Sequence, residues 1–190
     1  GKMGHALAKA ASILGAKVQL VSTTKQLKVP YGVQVTYVES ALEMHDAVTQ
    51  LFPKTDIAVM VAAVSDYYVA KRSNQKIKKQ QNESGLMLEL LENPDILKKL
   101  GHSKREGQVV IGFAAETTNV LEYAKAKLEK KKADVIIAND VSNSRIGFNS
   151  DSHQVTLLTK DGHIVNLPEN SKEELALNIW ESLLEEKIIH

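Results

Sequence analysis

Ile57-Ala58-Val59-Met60-Val61-Ala62-Ala63, running into Val64-Ser65-Asp66-Tyr67, is the stretch on which the fold turns. A run of apolar residues with no polar interruption fits a central parallel strand covered on both faces, since a half-exposed strand would alternate. Upstream, Val18-Gln19-Leu20-Val21-Ser22 and the alternating run from Val33 to Val38 read as further strands. Ser40 with Glu43 three residues on forms a capping box that opens a helix over 41–51. Downstream, 109–115 and Val135-Ile136-Ile137-Ala138 repeat the buried-strand composition, the second ending in Asn139-Asp140. Between them the spacing of Val120, Leu121, Ala124 and Leu128 predicts a helix over 119–132.

The remaining segments fit around this alternation. Met3, Leu7, Ala10 and Leu14 recur at helical spacing and Gly15 ends the helix. Leu86 to Leu90 alternates and reads as a strand, and Asn93-Pro94-Asp95 starts a helix, with Asn93 capping and Pro94 at the first helical position. Val155–Leu158 and Ile164–Leu167, joined through Asp161-Gly162, form a hairpin. The last helix, 172–187, turns Leu175, Ile179 and Leu183 to the core, with Trp180 and Leu184 widening the stripe. The expected fold is α/β: one Rossmann-like, doubly wound, mostly parallel sheet with helices on both faces and a C-terminal antiparallel hairpin. The whole of 1–190 reads as one domain, and 71–85, crowded with Lys71, Arg72, Lys76, Lys78 and Lys79, as a mobile active-site flap. In such a sheet the turn Gly1-Lys2-Met3-Gly4 normally follows a first, central strand, so the first strand is expected to be missing here.

Composition narrows the function classes. A net charge of +1 argues against a general nucleic-acid binder, and the absence of cysteine removes disulfides, thiol catalysis and thiolate metal sites. No apolar run approaches the roughly 20 residues of a membrane span, so a soluble cytoplasmic protein with no membrane partner is expected. His5, His45, His102, His153, His163 and His190 show no ligand spacing, and no protein-held metal is expected.

Chemistry is expected at the carboxyl ends of the strands, where ligands bind in open α/β sheets. Gly1-Lys2-Met3-Gly4 at a helix N-terminus lets backbone N–H groups approach a phosphate, although the same spacing also serves tight helix packing. Ala62 and Ala63 leave room for a ring or sugar, and Asp66 can accept from hydroxyls or amines or act as a cap. Phe113 suits stacking on a base, or the core. Lys127 and Lys131, four apart, share a helix face and can reach one anion or complement the helix dipole. Lys76-Ile77-Lys78-Lys79 has the makeup of a flap carrying cations to phosphates, or of a solvated charge run.

Taken together, Gly1-Lys2-Met3-Gly4, Ala62-Ala63-Val64-Ser65-Asp66-Tyr67, Lys76-Ile77-Lys78-Lys79, Asn93-Pro94-Asp95-Ile96, Gly112-Phe113-Ala114-Ala115-Glu116-Thr117, Ala138-Asn139-Asp140-Val141 and Gly147-Phe148-Asn149-Ser150-Asp151 resemble the phosphopantothenoylcysteine synthetase domain of bacterial bifunctional coenzyme A biosynthesis proteins. The resemblance runs from Gly1 to about the final helix. It implies a ligase in which CTP activates the carboxylate of 4'-phosphopantothenate as an acyl-cytidylate, and cysteine then displaces CMP to give 4'-phosphopantothenoylcysteine. Carried over by position, Gly1, Ala62, Ala63, Asp66, Lys76, Asn93, Pro94, Asp95, Ile96, Phe113, Lys127 and Lys131 are the expected nucleotide-binding residues, with Lys76 the main catalytic cation and Asn139 and Asp140 shaping the pocket. It further implies magnesium carried by the triphosphate, a homodimer, and a flavin-containing decarboxylase fused upstream in the full protein, with no flavin in this domain. Family members carry a Ser-Asn-His-Ser-Ser segment before the glycine turn, with a catalytic asparagine that this sequence lacks. The expectation is therefore CTP binding with weak or no amide formation.

Two other readings come from the residues alone. Tyr123-Ala124-Lys125-Ala126-Lys127 has the Tyr-x-x-x-Lys spacing of short-chain dehydrogenases, without their glycine fingerprint. A non-catalytic nucleotide-binding module is the second.

Overall fold

The computed structural model describes residues 1–78, 85–116, 119–140 and 152–190. Helix α1 (Lys2–Ile13) leads to β1 (Gln19–Ser22) and β2 (Gln34–Tyr37), then α2 (Ala41–Leu51), a single 3₁₀ turn (Phe52–Lys54) and β3 (Ile57–Met60). A short ribbon of β4 (Tyr67–Val69) and β5 (Leu90–Glu92) precedes α3 (Ile96–Ser103), β6 (Val109–Glu116), α4 (Val120–Lys131) and β7 (Val135–Asp140). The hairpin β8 (Ser152–Thr159) and β9 (Ile164–Ser171) and helix α5 (Lys172–Glu185) complete the order.

The main sheet has five strands in the order β3-β6-β7-β8-β9. β3, β6 and β7 are parallel, and β8 is antiparallel to both its neighbours, so β9 again runs with β7. The expected mostly parallel sheet with an antiparallel hairpin at its end is what forms. Its two faces divide the side chains with period two. Ile111, Val135, Ile137, Val155 and Leu157 pack under α1 and α5, whereas Val110, Ala114, Ile136, Ala138 and Leu158 pack under α3 and α4. Leu7 bridges α1 to α5 through its carbonyl, which accepts the buried indole N–H of Trp180 at 3.1 Å.

The capping box forms as expected, with Ser40 Oγ accepting from the Glu43 amide at 3.2 Å. Four expectations need correction. The long apolar run pairs only over Ile57–Met60, opposite Val109–Gly112 of β6. β1 and β2 form a parallel sheet of their own rather than extending the main one. Among the described residues β1 pairs only with β2, and β3 only with β6. The expected strand from Leu86 to Leu90 is instead Leu90–Glu92, set in register by an unanticipated partner, Tyr67–Val69. Finally, α3 is capped by Asp95 rather than Asn93: the Asp95 carboxylate accepts from the Lys98 amide at 2.9 Å, and Pro94 stands outside the helix.

Two close approaches seat α3. A Cβ on Gly101 would stand 2.0 Å from the Lys131 carbonyl oxygen, so the C-terminal half of α3 lies backbone to backbone on the end of α4. A Cβ on Gly112 would stand 2.5 Å from a Leu97 methyl, so α3 also lies directly on β6.

At the opposite end of the strands, buried Asp134 ties three segments together. One carboxylate oxygen accepts from the Val110 amide at 2.9 Å; the other meets Lys104 Nζ at 2.7 Å and Lys160 Nζ at 3.1 Å. Burial pushes this carboxyl up, but the Lys104 ammonium, the Val110 N–H and Lys160 outweigh it and hold its pKa below the ordinary value.

Gly101→Ala forces α3 off α4 and is expected to lower stability by at least about 2 kcal/mol, read from chemical denaturation. Asp134→Asn leaves two lysines facing a neutral amide and costs about 3 kcal/mol near neutral pH. Because the folded pKa of Asp134 lies below the unfolded one of about 4, its contribution is complete above that range and is lost as pH falls through the folded pKa. Wild type and Asp134→Asn are therefore expected to converge in stability on acidification, measured by denaturation across pH.

Candidate functional site

Because β3, β6 and β7 are parallel neighbours, their carboxyl ends emerge on the same edge of the sheet. Met60 stands opposite Gly112, Phe113 opposite Ile137, and Ala115 opposite Asn139. These ends open on a cleft of about 1920 Å³ that reaches the N-terminus of α1 and also runs along the full length of β1 and β3, from Asp56 at the amino end of β3 to Asp66. Small residues at its floor, among them Ala62, Ala63, Ala114 and Ala115, keep it open.

Gly1 caps α1, and its carbonyl accepts the first helical hydrogen bond, from the His5 amide at 3.1 Å. A Cβ on Gly1 would stand 2.5 Å from Thr24 Oγ1, so the entry to α1 is tight and its amide groups are open to the cleft only if the residue stays small. His5, one turn in, is buried; its Nδ1 lies 3.0 Å from the Gly1 carbonyl oxygen, and its Nε2 has no partner among the described residues.

Across the cleft, residues 93–96 form a rigid lip. The Asn93 amide donates to the Asp66 carbonyl at 2.7 Å, and Asn93 Nδ2 donates to the Ser65 carbonyl at 2.9 Å. Asn93 Oδ1 is buried with no partner among the described residues. Asp95 caps α3 and also pairs with Lys131 from α4. Burial alone would raise the Asp95 pKa, yet the Lys131 ammonium and the Lys98 amide bring it below the ordinary value. Lys127 Nζ donates to the Phe113 carbonyl at 2.8 Å, which fixes α4 over the end of β6. Phe113 is half-buried against the core while still lining the cleft.

Of the residues expected from sequence, Gly1, Ala62, Ala63, Asp66, Asn93, Pro94, Asp95, Ile96, Phe113, Lys127, Lys131 and Asn139 all line this one cleft. Lys76 does not; it is exposed on the loop after β4. The Asp140 side chain, Lys79, Thr117, Val141 and Gly147 to Asp151 lie outside the described residues. Lys127 and Lys131 do share a helix face, but Lys131 is engaged with Asp95 and Lys127 with Phe113, so neither is simply displayed to solvent. Tyr123 is half exposed and lies outside the cleft lining, so its spacing with Lys127 assembles nothing there. Sequence reasoning missed Ser65 as the anchor of Asn93, a contact spanning 28 residues that no local pattern announces.

The chain matches, over residues 1–186, the family described as DNA/pantothenate metabolism flavoprotein C-terminal domain. It is 42% identical over 184 residues to the coenzyme A biosynthesis bifunctional protein CoaBC of Bacillus subtilis (strain 168), covering 96% of this chain and 45% of that protein. It is 45% identical over 176 residues to the protein of the same name from Vibrio cholerae, covering 93% and 44%. The chain thus spans less than half the length of these curated relatives. Among solved structures, the C-terminal domain of a coenzyme A biosynthesis bifunctional protein CoaBC superposes with a TM-score of 0.79 at 40% identity, covering 96% of this chain and 81% of that one. A Cab2 variant in complex with phosphopantothenate-cysteine superposes with a TM-score of 0.71 at 14% identity, a likeness of fold alone, covering 100% and 80%. On the match along nearly its whole length and on these identities, the chain belongs to the family of DNA/pantothenate metabolism flavoprotein C-terminal domains.

Proposed function

We propose that this chain is the phosphopantothenate–cysteine ligase part of a coenzyme A biosynthesis protein, acting with CTP, and that it works as a homodimer beside a flavin-containing decarboxylase. The observation that carries the reading is the meeting, in one cleft, of a helix N-terminus, the Asn93–Asp95 lip and two lysines of α4. A nucleotide needs those three things: amide groups and cations for phosphates, and fixed polar groups for base and sugar. The unpartnered Asn93 Oδ1 fits an amino or hydroxyl donor of such a ligand. The family relatives carry the same name for their pathway.

In the first step a carboxylate oxygen of 4'-phosphopantothenate attacks the α-phosphorus of CTP and pyrophosphate leaves. In the second the cysteine amine, having lost a proton, attacks the acyl carbon and CMP departs. Both steps build negative charge on phosphate and acyl oxygens, which cations and oriented amides stabilise. Lys127 and Lys131 serve bound phosphates from α4, the α1 amides from the other wall, and Phe113 and Asn93 hold the base and sugar. Asp66 holds a ligand hydroxyl or amine, and Asn139 and Asp140 shape the pocket. Lys76 supplies the main catalytic cation when its loop, within 71–85, closes over the reactants. Among the described residues no group of three carboxylates or histidines could hold a metal unaided. Magnesium fits as an ion brought in by the triphosphate, which keeps mostly phosphate and water ligands.

Calorimetry is expected to show saturable CTP binding at least tenfold tighter than ATP; absence of nucleotide binding, or equal affinity for ATP, overturns the reading. Asn93→Ala and Lys127→Ala are each expected to weaken CTP at least tenfold, about 1.4 kcal/mol, with the α-helical signal unchanged. Lys76→Ala is expected to lower pyrophosphate release from CTP and 4'-phosphopantothenate at least about a hundredfold while changing CTP affinity far less, which separates it from the binding residues.

A further inference from the structure

Three lysines of α4 line the cleft, Lys127, Lys130 and Lys131, spaced i, i+3 and i+4 on one face of the helix. Two of them are engaged by the protein itself. Lys127 Nζ donates to the Phe113 carbonyl at 2.8 Å, and Lys131 pairs with Asp95 at the cap of α3. Lys130 differs from both. It is exposed, and it has no hydrogen-bond or ion-pair partner among the described residues. No sequence motif singles it out, because it falls between the two lysines whose spacing does.

The helix offers Lys130 no carboxylate of its own. The positions one turn away are Ala126 and Lys127 before it and Ala133 and Asp134 after it. Asp134 is buried at the amino end of β7 and is already held by the Val110 amide, Lys104 and Lys160. Glu129 is the adjacent residue, and adjacent residues do not face each other on a helix. Like charges three and four apart, by contrast, do face each other and repel. The negative end of the helix dipole offsets part of that repulsion for any cation in the last turn, which is the reading that needs no ligand. Lys132, at the C-cap, satisfies that reading equally well and does not line the cleft; Lys130 does. An anion held among Lys127, Lys130 and Lys131 relieves the repulsion and supplies the missing partner.

We propose that Lys130 is a third phosphate-binding cation of the cleft, and the one whose charge is available without breaking a protein contact. To serve an anion, Lys131 must share its protons with Asp95 or leave it, and Lys127 must do the same with the Phe113 carbonyl. Lys130 gives up only water. Its ammonium therefore contributes its whole charge to capture, and the two engaged lysines add theirs by exchanging partners. The ligand class is a phosphate monoester or a polyphosphate, whose several oxygens and more than one negative charge can meet ammonium groups three and four residues apart. The inference deepens the function proposed above, which supplies two such groups, the triphosphate of CTP and the 4'-phosphate of the acid substrate. Lys130 is assigned to the chemistry they share.

Calorimetry on the whole chain with CTP, 4'-phosphopantothenate and inorganic pyrophosphate tests this. Lys130→Ala is expected to raise the dissociation constant of CTP or of 4'-phosphopantothenate at least about fivefold, with the helical signal and thermal transition retained. A loss for CTP and pyrophosphate assigns the cation to the triphosphate; a loss for 4'-phosphopantothenate alone assigns it to the 4'-phosphate. Lys130→Arg keeps the charge and is expected to stay within about twofold of wild type. Lys125→Ala removes an exposed cation of the same helix that does not line the cleft, and is expected to change none of the three affinities. Affinities left unchanged by Lys130→Ala, or lowered as much by Lys125→Ala, overturn the proposal. Pyrophosphate keeps this test apart from the ligase reading. A chain that binds pyrophosphate through Lys130 but takes ATP as well as CTP loses the proposed function and keeps the cation, and a wild type that binds none of the three loses both.

Discussion

The contact between Gly101 and the carbonyls that end α4 is the constraint on which the cleft depends. A helix ordinarily holds its neighbours at side-chain distance, 8–10 Å between axes. With no Cβ at Gly101, α3 settles onto α4 at backbone distance, and with none at Gly112 below, its Leu97 side chain reaches the β6 backbone. That single placement brings the N-terminus of α3 to the sheet edge. Asp95 then lies within reach of Lys131, and the residues before it, Asn93 and Pro94, form the lip over the strand ends. The ordinary hydrophobic contacts of Ile96, Leu97 and Leu100 hold α3 down, but they would do so at any of several heights. The two glycines select the height.

The charged groups divide by the end of the sheet at which they lie. Asp134, at the amino end of β7, is buried and has three donors, so it closes the sheet and leaves no capacity for a ligand. Asp95 and Lys131, at the carboxyl end, also pair, but beside an open cleft. The first arrangement is a fastening. The second positions a cation beside the cleft while keeping it paired, so its charge is not left bare in a partly desolvated place.

Much of this was legible in the sequence, and the reason is periodicity. Val110 to Ala114 and Val135 to Ala138 are apolar at every position because helices cover both faces, and a window of a few residues reports that directly. The capping box at Ser40 was equally local. The misreadings share the opposite cause. Asn93-Pro94 has the composition of a helix start, but Asn93 is drawn away by Ser65 and Asp66, twenty-eight and twenty-seven residues earlier, so the cap falls to Asp95. Leu86 to Leu90 has strand composition throughout, yet among the described residues only Leu90–Glu92 pairs as a strand, because strand formation needs a neighbour and not just a pattern. The residues expected at the site meet in one cleft because their motifs fall at strand ends, which topology gathers in one place. Lys76 was legible as a cation on a polar loop, and it stands exposed there, outside the cleft lining.

The Lys131–Asp95 pair carries a further implication for how a phosphate would bind. An ammonium already bonded to a carboxylate does not offer its full charge to an incoming anion; it must share its donors or exchange partners. Lysine suits this better than arginine would, since its three protons rotate freely and one can leave Asp95 for a phosphate oxygen without moving the stem. Asp95 does not become stranded in that exchange, because the Lys98 amide still donates to it as the helix cap. Burial pushes the Asp95 carboxyl up and the Lys131 ammonium does most to bring it down, so diverting Lys131 to an anion raises the carboxyl's pKa again. Under the proposed function, such a pair can open to a triphosphate and close again after pyrophosphate leaves, with the α3 cap and the Asn93 lip unchanged throughout. Product departure then restores a contact instead of exposing a bare cation, and the same geometry that holds α3 in place also limits how tightly the cleft retains its anion.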